Sequence, residues 1–308
     1  MDRANLAPVA IFTYNRLDNT RKTIEALKKN RYADQTVVYI FSDGGRDEKS
    51  WKKVNQLRAY LKTVSGFKQV NIVERPVNFY LEKNIIEGVS SVVRQHGKII
   101  VLEDDVCTGP WYLKYMNDAL DFYQHQSEVM HVASQPYLNN LEREDVILTP
   151  CMCCTWGWAT WLDRWEYFEH YTSREQALQG LTEDDLLKLE YGGNFRCLKT
   201  LDWKPIPWDI CWYINIYRKK GLCVVPPRVM SKNIGLYSGT HFSTNPIWGR
   251  YVLDREFSLH EVKSFNSSLE VDAEYEQKLG DFFAQPMVKY NWLGKVVRYF
   301  YLKWKKMF

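Results

Sequence analysis

What this 308-residue chain lacks narrows its chemistry before any motif does. No apolar run approaches the ~20 residues of a membrane-spanning helix, so none is expected. The first residues, Met1-Asp2-Arg3-Ala4-Asn5, do not read as a secretory leader. Cysteine is sparse and odd in number, at seven, without the spacing of a disulfide framework. Together these features point to a reducing cytoplasm. Cys151, Cys153 and Cys154 have a spacing wrong for paired zinc knuckles, and no histidine stands at finger spacing. Charge of one sign is lacking too. The formal net charge of +4 provides no global field for nucleic acid, and no nucleic-acid partner is expected. There are no internal repeats, low-complexity tracts or flexible linkers, so the two halves of the chain are expected to share one sheet.

Aromatic residues, by contrast, are plentiful, at 15% with 12 Trp and 20 Tyr. Each offers a broad face with a polar handle, suited equally to a core and to a sugar. The most informative feature is Glu103-Asp104-Asp105, directly after the apolar run Ile99-Ile100-Val101-Leu102. Such a run reads as a strand buried on both faces of a mostly parallel sheet. Three adjacent carboxylates at its end repel one another and call for hydrogen bonds or a cation. A hard divalent ion, Mn2+ or Mg2+, fits oxygen ligands and keeps positions open for phosphates. The competing reading is a solvated acidic turn.

Upstream, strands are predicted at 8–12, 36–41 and 70–73, and helices around 20–28, 51–62 and 81–93. This alternation argues for parallel βαβ units. Downstream, helices are predicted at 111–125, in parts of 173–201 and from Trp208 to about Gly221. Strands are predicted at 131–134 and 223–225, and an aromatic-rich stretch runs from Trp156 to Trp165. Residues 286–308 alternate Lys and Arg with Trp, Phe and Tyr. They are expected to form a basic amphipathic helical segment that binds an anionic membrane surface, or else packs on the domain with a solvated basic face.

Four pieces in order carry a resemblance: Pro8 to Arg16, Ser42-Asp43-Gly44-Gly45, Asn78 through Gly88 to the acidic triplet, and Trp208-Asp209. In this pattern the chain resembles glycosyltransferases of the GT-A fold. It is similar to N-acetylglucosaminyltransferase I type enzymes, which carry Glu-Asp-Asp, and to bacterial polysaccharide and lipopolysaccharide sugar transferases. The resemblance implies an α/β Rossmann-like sheet flanked by helices. Residues 1–107 would form the nucleotide-sugar-binding half and 108–245 the acceptor-binding half. Residues 246–308 would be an extension ending in the basic tail.

The resemblance also implies roles. Thr13, Asn15 and Arg16 would lie against the nucleotide, and Asp43 would accept a hydrogen bond from its base. Glu103 and Asp104 would touch the donor sugar and ribose, and Asp105 would bind the metal. Asp209 would be the catalytic base, with Trp208 beside the donor sugar or acceptor. Trp158 is a candidate acceptor contact, and His241 a candidate for phosphate or metal. One departure is Ile210, where the family often has a second acidic residue. Each role has a plainer alternative: a helix cap for Asp209, a turn residue for Asp43, a surface ion pair for Arg16, core packing for the tryptophans and a solvated loop for His241.

The implied reaction is an inverting transfer of a hexose or N-acetylhexosamine from a nucleotide donor, UDP being expected, to a saccharide or lipid-linked saccharide. The setting would be surface glycan synthesis at the inner membrane face. The first alternative is a binding protein without turnover, which would have no need of a base. A glycoside hydrolase would have no use for a nucleotide-type half. A nucleotidyltransferase would want a Gly-rich basic first turn, which Thr13-Tyr14-Asn15-Arg16 is not.

Overall fold

The computed structural model describes residues 5–138, 141–150, 154–235 and 256–284. The predicted tail at 286–308 and His241 lie outside these residues.

The first half is a run of strand–helix units: β1 (Val9–Thr13), α1 (Leu17–Lys28), β2 (Val37–Ser42), α2 (Glu48–Leu61), β3 (Gln69–Glu74), α3 (Tyr80–His96) and β4 (Lys98–Glu103). A short strand, β5 (Val106–Thr108), and α4 (Tyr112–Phe122) follow. The second half adds β6 (Val129–Ala133), β7 (Ile147–Thr149), β8 (Trp158–Trp161), α5 (Leu162–Trp165), α6 (Arg174–Leu178) and α7 (Glu183–Leu189). It closes with α8 (Trp208–Arg218), β9 (Leu222–Val225), β10 (Ser231–Asn233) and α9 (Ala273–Ala284).

Eight strands make one sheet in the order β3-β2-β1-β4-β8-β6-β9-β7, and β5 pairs with β10 apart from it. β3, β2, β1 and β4 are mutually parallel. β8 runs antiparallel to both β4 and β6 and so joins the two halves into one sheet.

The predicted double-sided burial of the acidic strand is what the packing shows. Ile100 and Leu102 join Val9, Ile11, Ile24, Leu27 and Leu57 on the α1/α2 face. Ile99 and Val101 join Ala10, Phe12, Ile85, Val89 and Trp212 on the α3/α8 face. With both faces covered, each such side chain contributes about 1.5–3 kcal/mol by leaving water. The alternation of apolar with polar residues disappears for the same reason. β8 was hidden from sequence reasoning by this effect, since all four of its residues are buried.

Helix starts differ from expectation at two places. α2 begins at Glu48, because Asp47 and Ser50 form a reciprocal capping box. α1 begins at Leu17 rather than near residue 20, with Arg16 at the N-cap and Asp18 inside the first turn. Residues 256–284 return to the domain: Val146 N–H donates to Ser264 O at 3.1 Å and Asp272 N–H to Leu148 O at 2.9 Å.

Candidate active site

The parallel strands end together. Phe12 of β1 stands beside Glu103 of β4, and Thr13 beside Ser42 of β2. The loops leaving these strands therefore gather at one edge of the sheet, where open α/β sheets bind ligands. Arg16, Asp43 and the acidic triplet all lie there, brought together from residues up to 89 positions apart by strand order alone.

Asp43 is buried and fully engaged. Its Oδ1 accepts from Gly44 N–H at 2.8 Å and Phe79 N–H at 2.7 Å, and its Oδ2 accepts from Asn78 Nδ2 at 3.0 Å. Burial lifts its carboxyl above the ordinary value against the pull of the Phe79 and Gly44 N–H groups and of Arg75. A Cβ on Gly44 would stand 2.4 Å from the Val77 backbone, so the turn takes glycine for this close approach. Thr13 is buried, and its hydroxyl donates to Phe41 O at 3.3 Å.

Sequence reasoning missed Arg58, on α2. Its Nη2 donates to Ser42 O at 3.1 Å, Asp43 O at 3.4 Å and Arg75 O at 2.7 Å. Its Nε reaches Ser42 Oγ at 3.2 Å, and the guanidinium lies over Trp51 at 5.2 Å from the ring centre. One arginine thus ties the ends of β2 and β3 to each other. Its place beside the solvated positions of α2 gave no signal of this.

The triplet itself is held by Arg16. Its Nη2 and Nε (3.3 Å) bond to Asp104, and Nη1 pairs with Asp105 Oδ2 at 2.8 Å. Burial works against the guanidinium charge, but Asp104, Asp105 and Glu103 more than offset it and hold Arg16 protonated. Burial pushes Asp104 up to about 6, with Arg16 pulling it down and Asp105 repelling it. Glu103 is raised well above its ordinary value, first by burial and then by repulsion from Asp105, Asp104 and Asp209. The Asp209 repulsion brings the base candidate of α8 into the field of the strand-end carboxylates. Glu82, in the first turn of α3, belongs to the same group: burial raises it, and it feels His170 and Asp209.

Asp209 sits in the first turn of α8, whose N-cap is Pro207 without a side-chain capping bond. Its Oδ1 accepts from Ile210 N–H at 2.9 Å. Trp208 is buried and stacks on Trp158 at 5.3 Å, and Trp158 also lies against His131, Trp165 and Trp212. Trp158 is 1% exposed and Trp208 2%, so both rings are packed inside the domain. His131, fully buried beneath them, accepts from Trp212 Nε1–H on Nδ1 and faces Cys154 O with Nε2, both at 3.2 Å. Indole can only donate, which places the ring proton on Nε2. Burial drives the His131 pKa down to about 3.

Among the described residues, no group of three or more His, Cys, Asp or Glu is arranged to hold a metal. Mg2+ is often held by one or two carboxylates completed by phosphate oxygens and water, and Asp105 offers such a carboxylate. Its backbone is fixed, since Asp105 O accepts from Ile234 N–H at 2.7 Å. A Cβ on Gly235 would fall 1.9 Å from Asp105 Oδ2, so only glycine lets this segment close against the carboxylate. Asp104 and Asp105 set two carboxyls against the single guanidinium of Arg16, a balance that suits a further cation. A separate opening of about 450 Å3, lined by Leu187, Tyr191, Tyr217 and Glu276 among others, shares none of these residues.

Residues 9–178 match the family model described as Glycosyl transferase family 2, which is more than half of the chain. The chain belongs to that family and has the GT-A fold. No curated protein sequence matches significantly. Solved structures with some likeness include TarS from S. aureus, at 9% identity and a TM-score of 0.40, covering 73% of this chain and 36% of that one. Another is the mannosyltransferase PcManGT from Pyrobaculum calidifontis in complex with GDP-Man and Mn2+, at 10% identity and a TM-score of 0.39, covering 70% and 69%. The chain therefore spans about a third of the length of TarS.

Proposed function

We propose that this member of glycosyl transferase family 2 moves a hexose or N-acetylhexosamine from a nucleotide donor, UDP being favoured, to a saccharide acceptor in surface glycan synthesis, with inversion. The observation that carries the reading is the gathering of Arg16, Asp43 and the acidic triplet at the one sheet edge where the parallel strands β1, β2 and β4 end.

The roles follow from placement. Asp43, with Thr13, Asn15 and the Arg58-tied turn, forms the nucleotide side of the site. Arg16 would meet the diphosphate. Asp105 would hold Mn2+ or Mg2+, which supplies charge neutralisation for the departing diphosphate when bound. Burial and its neighbours raise the Glu103 carboxyl well above its ordinary value, and with Asp104 it would touch the donor sugar and ribose. Asp209 takes the proton from the acceptor hydroxyl as the new bond forms. The carboxylates lie near a centre that becomes oxocarbenium-like. Buried Trp208 fixes the start of α8 and hence the aim of Asp209.

The tail at 286–308 would hold the enzyme at an anionic inner-leaflet surface near a lipid-linked acceptor, since it combines Lys and Arg with interfacial aromatics. No helix among the described residues is long and apolar enough to cross a membrane.

Asp209→Asn tests the central role. The variant is expected to bind donor as the parent does while losing about 10²–10⁴-fold in transfer rate, the usual worth of a general base. Full transfer by a folded Asp209→Asn protein would remove the base assignment. It would favour the alternative of a fold that binds sugar nucleotides or glycans without turnover.

A further inference from the structure

We propose that Arg16 is a tethered cation that occupies Asp104 and Asp105 in place of a divalent metal until a nucleotide diphosphate draws it away. Nucleotide and metal would then bind cooperatively. The inference rests on the reading of Asp105 as the metal ligand.

Among the described residues, the ion pairs of Asp104 and Asp105 are both to Arg16. A planar guanidinium spanning two carboxylates is a stronger clamp than a lysine point charge. A metal arriving at Asp105 alone must displace the Nη1 contact or accept a cation beside it. Either lowers its affinity for the nucleotide-free protein.

The exposures show which partner can move. The Arg16 side chain is 40% exposed, whereas those of Asp104 and Asp105 are 4% and 10%. Asp105 is further fixed by the Ile234 N–H bond and by Gly235 against its Oδ2. Asp104 O accepts from Thr23 Oγ1 at 3.0 Å. The backbone of Arg16 is fixed as well, its carbonyl accepting from Thr20 N–H at 3.0 Å and Thr20 Oγ1 at 2.9 Å. Only the guanidinium is free to leave, and it faces the solvent side from which a diphosphate would approach. An anion that binds Arg16 therefore releases Asp105 to the metal, and reciprocity requires the metal to favour the anion equally.

The test is direct titration of Mn2+ into the full chain, following free Mn2+ by electron paramagnetic resonance, with and without UDP. Without nucleotide, Arg16→Gln is expected to bind Mn2+ at least about tenfold more tightly than the parent. Arg16→Lys, which keeps the charge but cannot span both carboxylates, is expected to fall between them. UDP is expected to tighten Mn2+ binding by a larger factor in the parent than in Arg16→Gln. A folded Arg16→Gln or Arg16→Lys protein that binds Mn2+ no better than the parent without nucleotide overturns the inference. Asp105→Ala separates the two claims. If it retains parental Mn2+ affinity in the presence of UDP, the metal assignment itself fails, whatever the Arg16 variants do.

Discussion

His131 shows how a single buried group sets a pH dependence. In the unfolded chain its imidazole titrates near 6.5, and in the native state only near 3. As pH falls through this window the unfolded state takes up the proton and the native state does not. Stability is therefore lost on acidification and present above about 6.5. Between pH 7 and pH 5 this group alone should remove about 2 kcal/mol. Glu103, Asp104 and Glu82 act in the opposite sense, since their native carboxyls are raised and favour folding at low pH. Comparison with His131→Gln cancels them. Urea unfolding of the parent should lose about 2 kcal/mol more than the variant between those pH values. Equal losses would mean that His131 is charged in the native state. The sequence offered no warning of this residue, because a histidine in a short apolar strand looks like any other until Trp212, Trp158 and Cys154 O close around it. The acidic triplet is the opposite case. Its chemistry was legible because three carboxylates beside an apolar run demand compensation wherever they fold, although the compensating Arg16 is distant in sequence.

At the scale of elements, the nucleotide edge depends on how strand ends are held level. β1, β2 and β4 are placed by hydrophobic packing on both faces, but their exits are placed by polar contacts, above all those of Arg58. Removing its guanidinium leaves the carbonyls of Ser42, Asp43 and Arg75 without this donor, at a cost of about 1–3 kcal/mol. We expect Arg58→Ala to lower the melting temperature and to raise the donor KM by about tenfold, with a smaller change in kcat. A destabilised variant with unchanged donor KM would confine Arg58 to stability. The strands of the first half were readable from apolar runs and turn residues, and α8 from Pro207-Trp208-Asp209. β5, β7, β8 and β10 were not, because strands of three or four residues carry too little pattern and β8 is buried throughout. The small sheet of β5 and β10 matters most among these, since its register, Val106 beside Asn233, delivers Gly235 to Asp105.

For the whole molecule, β8 joins the parallel strands of the first half and the strands of the second into one continuous sheet among the described residues. The lack of a flexible linker anticipated a shared sheet, but β8, the strand that joins its two parts, was not anticipated. The basic tail adds a prediction at this scale. Deleting residues 286–308 should release the protein from vesicles containing anionic lipid while sparing transfer to a soluble acceptor. Vesicle binding that survives the deletion would assign it to another surface.

The account as a whole turns on whether the strand-end site takes a nucleotide sugar. Thermal stabilisation by a panel of nucleotide sugars, with and without Mn2+, measures this directly, because a ligand that binds only the native state raises the melting temperature by mass action. We predict a metal-dependent rise with a UDP-sugar that is lost in Asp105→Ala. A well-folded protein whose melting temperature does not respond to any nucleotide or nucleotide sugar, with or without metal, would contradict the account.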